Sequence, residues 1–245
     1  MIKIYPQPSD IYPAAADLFV ASAKKAIASK GSFTVALTGG SSPVELYKLL
    51  ATPAYLDQID WTKVFVFWGD ERWVPLADPL SNAKMAFETL LQQVPLPEDH
   101  IFPMYDIDRS PEEFAVVYEQ QLRRVLGTEG QFDLILLGMG DDGHTASLFP
   151  HTAVLQEKTK WVDAYYLEPQ QMHRITLTAT LLNKAKQILV ITFGEKKAPA
   201  LYEVLEGVRN SEEYPSQLLN PTNGDILFMV DKDAASRLSE AVISQ

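Results

Sequence analysis

The chain has 245 residues and no cysteine, so we expect one substantial core, a single domain over residues 1–245, and neither disulfides nor thiolate metal sites. The formal net charge of −11 argues against nucleic-acid binding, because affinity for the phosphate backbone depends on clustered lysines and arginines. No apolar stretch approaches the roughly 18 residues of a membrane span, and the N-terminus lacks the basic and apolar regions of a secretory signal, so we expect a cytoplasmic protein without a membrane partner.

Apolar runs alternate with helical patterns along the chain, which predicts an α/β protein. In chain order the predicted elements are helix 10–29, strand 33–38, helix 43–50, strand 63–68, helix 82–93, helix 111–126, strand 132–137, strand 174–178, helix 179–185, strand 187–193, helix 195–206, strand 225–230 and helix 231–243. This order favours an open, mostly parallel sheet with helices on both faces. Ligands of such sheets bind outside the carboxyl ends of the strands, so the residues that follow each strand are the candidates for a site.

The first strand runs into Thr-Gly-Gly-Ser-Ser-Pro-Val-Glu at residues 38–45. Glycines permit unusual backbone conformations, and free N–H groups at a helix start favour an anion such as phosphate. An alternative interpretation is a simple capping box between Ser42 and Glu45 at an ordinary turn, and both can hold at once. The residues of the predicted anion cradle are Thr38, Gly39, Gly40 and Ser41.

The second strand is followed by Gly-Asp-Glu-Arg-Trp-Val-Pro at residues 69–75. Arg72 is a permanently charged donor fork suited to a phosphate or a developing oxyanion, and Asp70 could bind sugar hydroxyls. The alternative is a surface salt-bridge cluster. Asn82, which follows Ser81 at a helix start, fits a helix cap better than a ligand on local evidence.

The strand at 132–137 leads into a turn in which Gly138, Gly140 and Gly143 spell G-x-G-x-x-G, a pattern typical of dinucleotide binding. That pattern also needs a helix opening at the third glycine and an acidic residue about 20 residues further on. Pro150 cuts the following helix short, and residues 157–163 lack the continuous apolar run of a parallel strand. A nicotinamide-dependent oxidoreductase is therefore only the second interpretation of this turn.

His144 lies at the end of the same turn, two residues after Asp142. A carboxylate that orients an imidazole forms a general-base pair, whereas the alternative is a loop histidine with local hydrogen bonds. Arg174 and Lys197 are individually typical of solvated charges, but together they could complete a phosphate site. No histidines pair at i and i+4, so no metal site is predicted.

These segments jointly resemble the 6-phosphogluconolactonases, which share a superfamily with the glucosamine-6-phosphate deaminases. The resemblance spans nearly the whole chain, and its motifs are Thr38-Gly-Gly-Ser-Ser-Pro, Gly69-Asp-Glu-Arg-Trp-Val-Pro, Ser81-Asn82, Leu137-Gly-Met-Gly-Asp-Asp-Gly-His-Thr-Ala-Ser-Leu-Phe-Pro150, Arg174-Ile-Thr-Leu-Thr and Gly194-Glu-Lys-Lys-Ala. After the histidine the deaminases typically read Ile-Ala-Phe-Asn-Glu-Pro, whereas this chain reads Thr-Ala-Ser-Leu-Phe-Pro. The missing glutamate points to lactone hydrolysis.

The resemblance implies a modified Rossmann-like fold and hydrolysis of 6-phospho-D-glucono-1,5-lactone to 6-phosphogluconate in the oxidative pentose phosphate pathway, with no cofactor or metal. Its implied catalytic residues are His144 as the general base, Asp142 as its orienting partner, and Arg72. The implied substrate-binding residues are Thr38, Gly39, Gly40, Ser41, Asp70, Asn82, Gly143, Arg174 and Lys197. Whether Arg72 contacts the phosphate or the lactone carbonyl stays open, as does the oligomeric state. The alternatives are a glucosamine-6-phosphate deaminase, an NAD-binding oxidoreductase and a non-catalytic sugar-phosphate sensor.

Overall fold

A computed structural model of the protein describes residues 1–243. The strands are β1 (Ile2–Tyr5), β2 (Phe33–Leu37), β3 (Val64–Trp68), β4 (Asp70–Arg72), β5 (Leu134–Gly138), β6 (Val162–Leu167), β7 (Met172–Leu177), β8 (Gln187–Thr192) and β9 (Asp225–Asp231). The helices are α1 (Pro8–Lys30), α2 (Val44–Leu50), α3 (Pro53–Leu56), α4 (Asn82–Thr89), α5 (Pro111–Leu126), α6 (Ala179–Leu182), α7 (Ala198–Leu205) and α8 (Glu240–Ile243). No helix among the described residues is long and apolar enough to cross a membrane.

Six strands form a central sheet in the order β1-β9-β8-β5-β2-β3, and every neighbouring pair in it is parallel. Its inner strands are almost continuously apolar and buried, as in Phe-Thr-Val-Ala-Leu of β2, because helices cover both faces of such a sheet. The predicted open, mostly parallel α/β fold is confirmed.

The remaining strands form a separate antiparallel sheet in the order β4-β7-β6. The sequence interpretation missed β4 and β6 and placed β7 in the main sheet. β6 alternates buried and accessible residues rather than running continuously apolar, so a search for a parallel strand at residues 157–163 was bound to miss it. Gly69 joins the sheets, since its N–H donates to the Leu37 carbonyl (2.8 Å) and its carbonyl accepts from the Leu177 N–H (2.8 Å).

The predicted closing helix at 231–243 is wrong. β9 continues to Asp231, turns follow, and only the short helix α8 lies in that range. The buried Asp231 carboxylate accepts the N–H groups of Gly194 and Ala234, both at 2.9 Å, and these bonds fix a turn where a helix was expected.

Smaller differences concern helix ends and one strand. Helix α4 ends at Thr89 before a 3-10 turn, α6 ends at Leu182, and residues 195–197 form a 3-10 turn before α7. Strand β1 was not predicted. Helix α5 matches its prediction because Ser110 and Glu113 form a reciprocal capping box at its start.

Candidate active site

A cleft of about 200 Å³ lies at the carboxyl edge of the central sheet, where the second sheet joins it. Ten of the twelve predicted site residues line it: Thr38, Gly39, Gly40, Ser41, Asp70, Arg72, Asn82, His144, Arg174 and Lys197. Asp142 and Gly143 do not line the cleft but belong to the turn that carries His144. The lining also includes Ser42, Gly138, Met139, Gly140 and Ala146, of which sequence reasoning did not single out Met139 and Ala146.

His144 and Asp142 form the expected pair, with 2.6 Å between His144 Nδ1 and Asp142 Oδ1. The same oxygen accepts the backbone N–H of His144 at 3.1 Å. Because a carboxylate can only accept, the neutral imidazole carries its proton on Nδ1, and its Nε2 keeps a free lone pair. Nε2 makes no hydrogen bond with residues 1–243, so it is available as a base.

The Asp142 carboxyl is ionised at neutral pH. Burial opposes its ionisation, but the hydrogen bond and charge of His144 outweigh this effect and hold the pKa of Asp142 below its ordinary value. A charged Asp142 keeps the imidazole in the required tautomer and orientation.

Phe149 packs against the imidazole of His144. Its ring stacks on the imidazole of His144 with 4.0 Å between centroids and 22° between planes. The guanidinium of Arg174 lies 5.6 Å from the centroid of the same ring. Phe149 therefore orients two site residues, a role for which no local sequence pattern exists.

The turn at 140–144 needs glycine at position 140. The Gly140 N–H donates to the His144 carbonyl at 2.8 Å and its carbonyl accepts from the Gly143 N–H at 3.1 Å, which closes the turn. A Cβ on Gly140 would overlap His144 Nδ1 and come within 2.5 Å of Asp142 Oδ1. The glycine at this position leaves room for the imidazole–carboxylate pair.

No helix follows Gly143. Residues 141–150 form turns with one isolated bridge between Thr145 and Leu148, so the short helix expected before Pro150 is absent. A dinucleotide-binding turn places its pyrophosphate at a helix start. The glycine pattern of this segment therefore shapes the His144 turn and gives no support to a dinucleotide site.

Tyr47 of α2 holds the backbone of the predicted anion cradle at Thr38. The buried Tyr47 hydroxyl donates to the Thr38 carbonyl (2.9 Å) and accepts from the Thr38 N–H (3.0 Å), and burial raises its pKa. The alternative capping box is wrong: Pro43 precedes the first helical residue without a side-chain cap, and Glu45 pairs with Lys48 instead (2.7 Å). No side chain caps the start of α2 beside the cradle.

Asp70 and Arg174 form a buried ion pair, with 2.7 Å between Asp70 Oδ2 and Arg174 Nη2. Ser147 Oγ donates to the same carboxylate oxygen at 2.5 Å. Asn82 Nδ2 donates to the Asp70 backbone carbonyl at 3.0 Å and lies 3.5 Å from Oδ1. Much of the acceptor capacity of Asp70 is thus used within the protein, and its main effect on the cleft is to hold Arg174.

Arg72 lies directly opposite Arg174 in the β4–β7 pairing. Its Nη1 donates to the Leu80 carbonyl at 2.7 Å, and Arg174 Nη1 donates to Gln170 at 2.9 Å. The Nε atoms of both arginines are buried and lack a partner within residues 1–243. Two like charges facing each other across strands are unfavourable, and an anion in the cleft would relieve this repulsion.

Glu71 does not line the cleft but holds residues that do, and sequence reasoning missed it. It is buried, and its carboxylate accepts the N–H groups of Arg72, Asn82 and Ala83, each at 2.8 Å, and the Ser81 hydroxyl at 3.0 Å. Burial raises the pKa of Glu71, although these backbone hydrogen bonds act in the opposite direction. The 69–75 segment is therefore not a surface salt-bridge cluster.

Ser81, and not Asn82, caps helix α4. The Ser81 hydroxyl accepts the Lys84 N–H at 3.1 Å, so the cap assignment of Asn82 is wrong by one residue. The Asn82 side chain instead abuts Gly39, where a Cβ would overlap its amide. Asn82 thereby joins the cradle to the Asp70 segment.

Lys197 reaches the cleft from the turn before α7, and its Nζ lies 2.7 Å from Asp141 Oδ1. The cleft thus brings one imidazole–carboxylate pair together with three cations, Arg72, Arg174 and Lys197. An α/β protein with this set of groups at its carboxyl edge has a site for acid–base chemistry on an anionic substrate.

Comparison with known proteins agrees with an α/β protein that has such a site and identifies its family. The family model described as glucosamine-6-phosphate isomerases/6-phosphogluconolactonase matches residues 6–228, and the chain belongs to this family. A 6-phosphogluconolactonase of Synechocystis sp. is 39% identical over 218 residues, which cover 87% of this chain and 88% of the relative. A solved 6-phosphogluconolactonase from Trypanosoma cruzi is 27% identical with a TM-score of 0.84 and covers 97% of this chain and 96% of its own.

A plant relative is relevant to the subcellular location of the protein. The probable 6-phosphogluconolactonase 3 of Oryza sativa subsp. indica, described as chloroplastic, is 38% identical over 228 residues, which cover 88% of this chain and 69% of the relative. Location thus differs among relatives, and the cytoplasmic expectation stays a prediction.

Proposed function

We propose that the protein hydrolyses 6-phospho-D-glucono-1,5-lactone to 6-phosphogluconate, a reaction of the oxidative pentose phosphate pathway. The observation that carries this proposal is the His144–Asp142 pair facing a cleft that also holds Arg72, Arg174 and Lys197. A general base and a cationic surface are what a phosphorylated lactone requires. The names of the bacterial and trypanosomal relatives support the same reaction.

In the proposed mechanism His144 Nε2 removes a proton from a water molecule as the water oxygen bonds to C1 of the lactone. The tetrahedral intermediate then collapses, the bond between C1 and the ring oxygen breaks, and the imidazolium returns the proton to that oxygen. Such proton transfer typically accelerates a reaction by about 10²–10⁴-fold. Asp142 stabilises the imidazolium that forms between the two steps.

The cations divide between two tasks. The lactone phosphate would lie against the cradle at Gly39 and Gly40, with Arg174 and Lys197 as its charged partners. Arg72 either joins them or stabilises the oxyanion at C1, where one well-placed donor contributes about 3 kcal/mol. Both arginines line the cleft, so their guanidinium groups lie beside the space that the substrate would occupy.

The cleft does not favour the deaminase alternative. The segment after His144 contributes the methyl group of Ala146 to the lining, and the hydroxyl of Ser147 is engaged by Asp70. No carboxylate from this segment reaches the cleft, so the glutamate expected of a deaminase has no counterpart there.

One assay tests the proposal. The lactone is generated in situ by glucose-6-phosphate dehydrogenase, and its disappearance is followed with and without the protein. We expect disappearance well above the spontaneous rate together with formation of 6-phosphogluconate. Spontaneous-rate disappearance would refute the proposal; ammonia release from glucosamine 6-phosphate, or tight binding of 6-phosphogluconate without turnover, would then identify a deaminase or a sensor.

A further inference from the structure

The ion pair between Lys197 and Asp141 lies at the mouth of the cleft. Lys197 lines the cleft, whereas Asp141 does not, and their side chains are 25% and 58% exposed. Asp141 Oδ1 is the one hydrogen-bonding partner of the Lys197 ammonium within residues 1–243. The Lys197 ammonium is thus turned toward a carboxylate that does not line the cleft.

Asp141 has no part in the imidazole–carboxylate pair. The neighbouring Asp142 makes both hydrogen bonds to His144, and within the described chain the Asp141 carboxylate makes no hydrogen bond or ion pair other than that with Lys197. Removing the Asp141 charge therefore leaves the His144 turn intact, since that turn is closed by backbone hydrogen bonds of Gly140 and Gly143.

The backbone of Lys197 is fixed. Its N–H donates to the Gly194 carbonyl at 3.0 Å, and the buried Asp231 carboxylate holds the Gly194 N–H at 2.9 Å. The flexible four-carbon side chain can still rotate between Asp141 and the cleft. A phosphate in the cleft and the Asp141 carboxylate therefore compete for the same ammonium group, and the two anions also repel each other.

We propose that Asp141 competes with the phosphate of the substrate for Lys197 and so weakens the affinity of the cleft for phosphate monoesters. The inference rests on the proposed function, because it takes the cleft to bind a phosphorylated substrate. Substrate and product carry the same phosphate, so Asp141 weakens the binding of both. It thereby raises KM and shortens the residence of the product, without touching the reacting atoms.

The test measures binding of inorganic phosphate by isothermal titration calorimetry, which needs no turnover. Asp141→Asn should bind phosphate roughly three- to tenfold more tightly than the unaltered protein at low salt, with the gain shrinking in high salt. Glu195→Gln is the matched control: it removes one exposed carboxylate two residues from Lys197 that makes no ion pair with it, and we expect a change below about twofold.

A third variant tests whether the effect of Asp141 on phosphate affinity acts through Lys197. In a Lys197→Met background, Asp141→Asn should change phosphate affinity no more than Glu195→Gln does. In the lactone assay Asp141→Asn should lower KM by a similar factor and leave kcat within about twofold.

Three outcomes of the binding measurements overturn the inference. Weaker phosphate binding by Asp141→Asn would mean that Asp141 positions Lys197 for the phosphate, and an equal change in Glu195→Gln would reduce the effect to general charge. Absence of phosphate binding in every variant would refute competition outright. If the tightening occurs but the unaltered protein lacks lactonase activity, the proposed function fails while the competition for Lys197 stands.

Discussion

One aspartate lies just before strand β5 and another lies four residues after it, and their carboxylates differ in burial and in the number of partners. Asp133, just before the strand, is almost fully buried and accepts from the Thr34 N–H and hydroxyl and from Lys30 and Lys186, all at 2.9 Å. Asp142, after the strand, is 48% exposed and offers one oxygen to His144.

The pKa of both carboxyls lies below its ordinary value, and in both cases burial acts against the shift. For Asp133 the opposing effect comes from Lys30, Thr34 and Lys186, whereas for Asp142 it comes mainly from His144. A lowered pKa therefore does not identify a catalytic carboxylate. What distinguishes Asp142 is that its partner His144 keeps an unused nitrogen and lines the cleft, whereas the partners of Asp133 do not line that cleft.

The largest expected effect is at the carboxyl end of the strand. His144→Ala should lower kcat for lactone hydrolysis by about 10²–10⁴-fold, because the base that accepts the proton from water is gone. Affinity for 6-phosphogluconate, measured by calorimetry, should stay within a few-fold. His151→Asn is the control, since His151 is an exposed histidine with φ of 60°, a conformation that asparagine tolerates. Wild-type kcat in His144→Ala would exclude the proposed base.

Asp142→Asn should lower kcat by about 10- to 100-fold, less than the roughly 10⁴-fold loss recorded for a buried triad aspartate. The loss is smaller because water already screens the half-exposed carboxylate. The amide can still contact Nδ1 but no longer stabilises the imidazolium. The measurement is steady-state kcat and KM near neutral pH, and an unchanged kcat would show that His144 does not depend on this partner.

The contrast between the ends of β5 also separates what the sequence could predict from what it could not. The Asp142–His144 pair was predictable because its members are two residues apart. Arg72, Arg174 and Lys197 were predictable because they lie close to strand ends, where open sheets bind ligands. The buried pairing of Asp70 with Arg174 joins residues 104 positions apart through an antiparallel sheet whose strands lack a strong apolar pattern. Neither this pairing nor the hydrogen bonds from the Asn82 and Ala83 N–H groups to Glu71 have a local signature.

Asp133→Asn should affect stability and not catalysis. The neutral amide cannot satisfy two lysines and Thr34 together, so we expect a loss of about 2 kcal/mol and a fall in Tm of roughly 4–8 °C, with kcat within twofold. Asp225→Asn is a matched control, because Asp225 lies at the same edge of the sheet but is exposed. Urea denaturation and calorimetry measure the change in stability. A catalytic defect without a change in stability would show that Asp133 serves catalysis and not the stability of the fold.

The smallest expected effect is the pH dependence of that stability difference. Because the pKa of Asp133 is lower in the folded protein, its ionised form stabilises the fold fully above the unfolded-state pKa of about 3.9, and this contribution is lost as the pH falls through the folded-state pKa. The gap in urea midpoint between the unaltered protein and Asp133→Asn should therefore be constant from pH 7 to about 5 and shrink at more acidic pH. Asp142→Asn should show the same direction with a smaller amplitude, since its carboxylate is screened by water. A gap that widens on acidification would mean that Asp133 is stabilised in its protonated form, and the two ends of β5 would then differ in charge as well as in exposure.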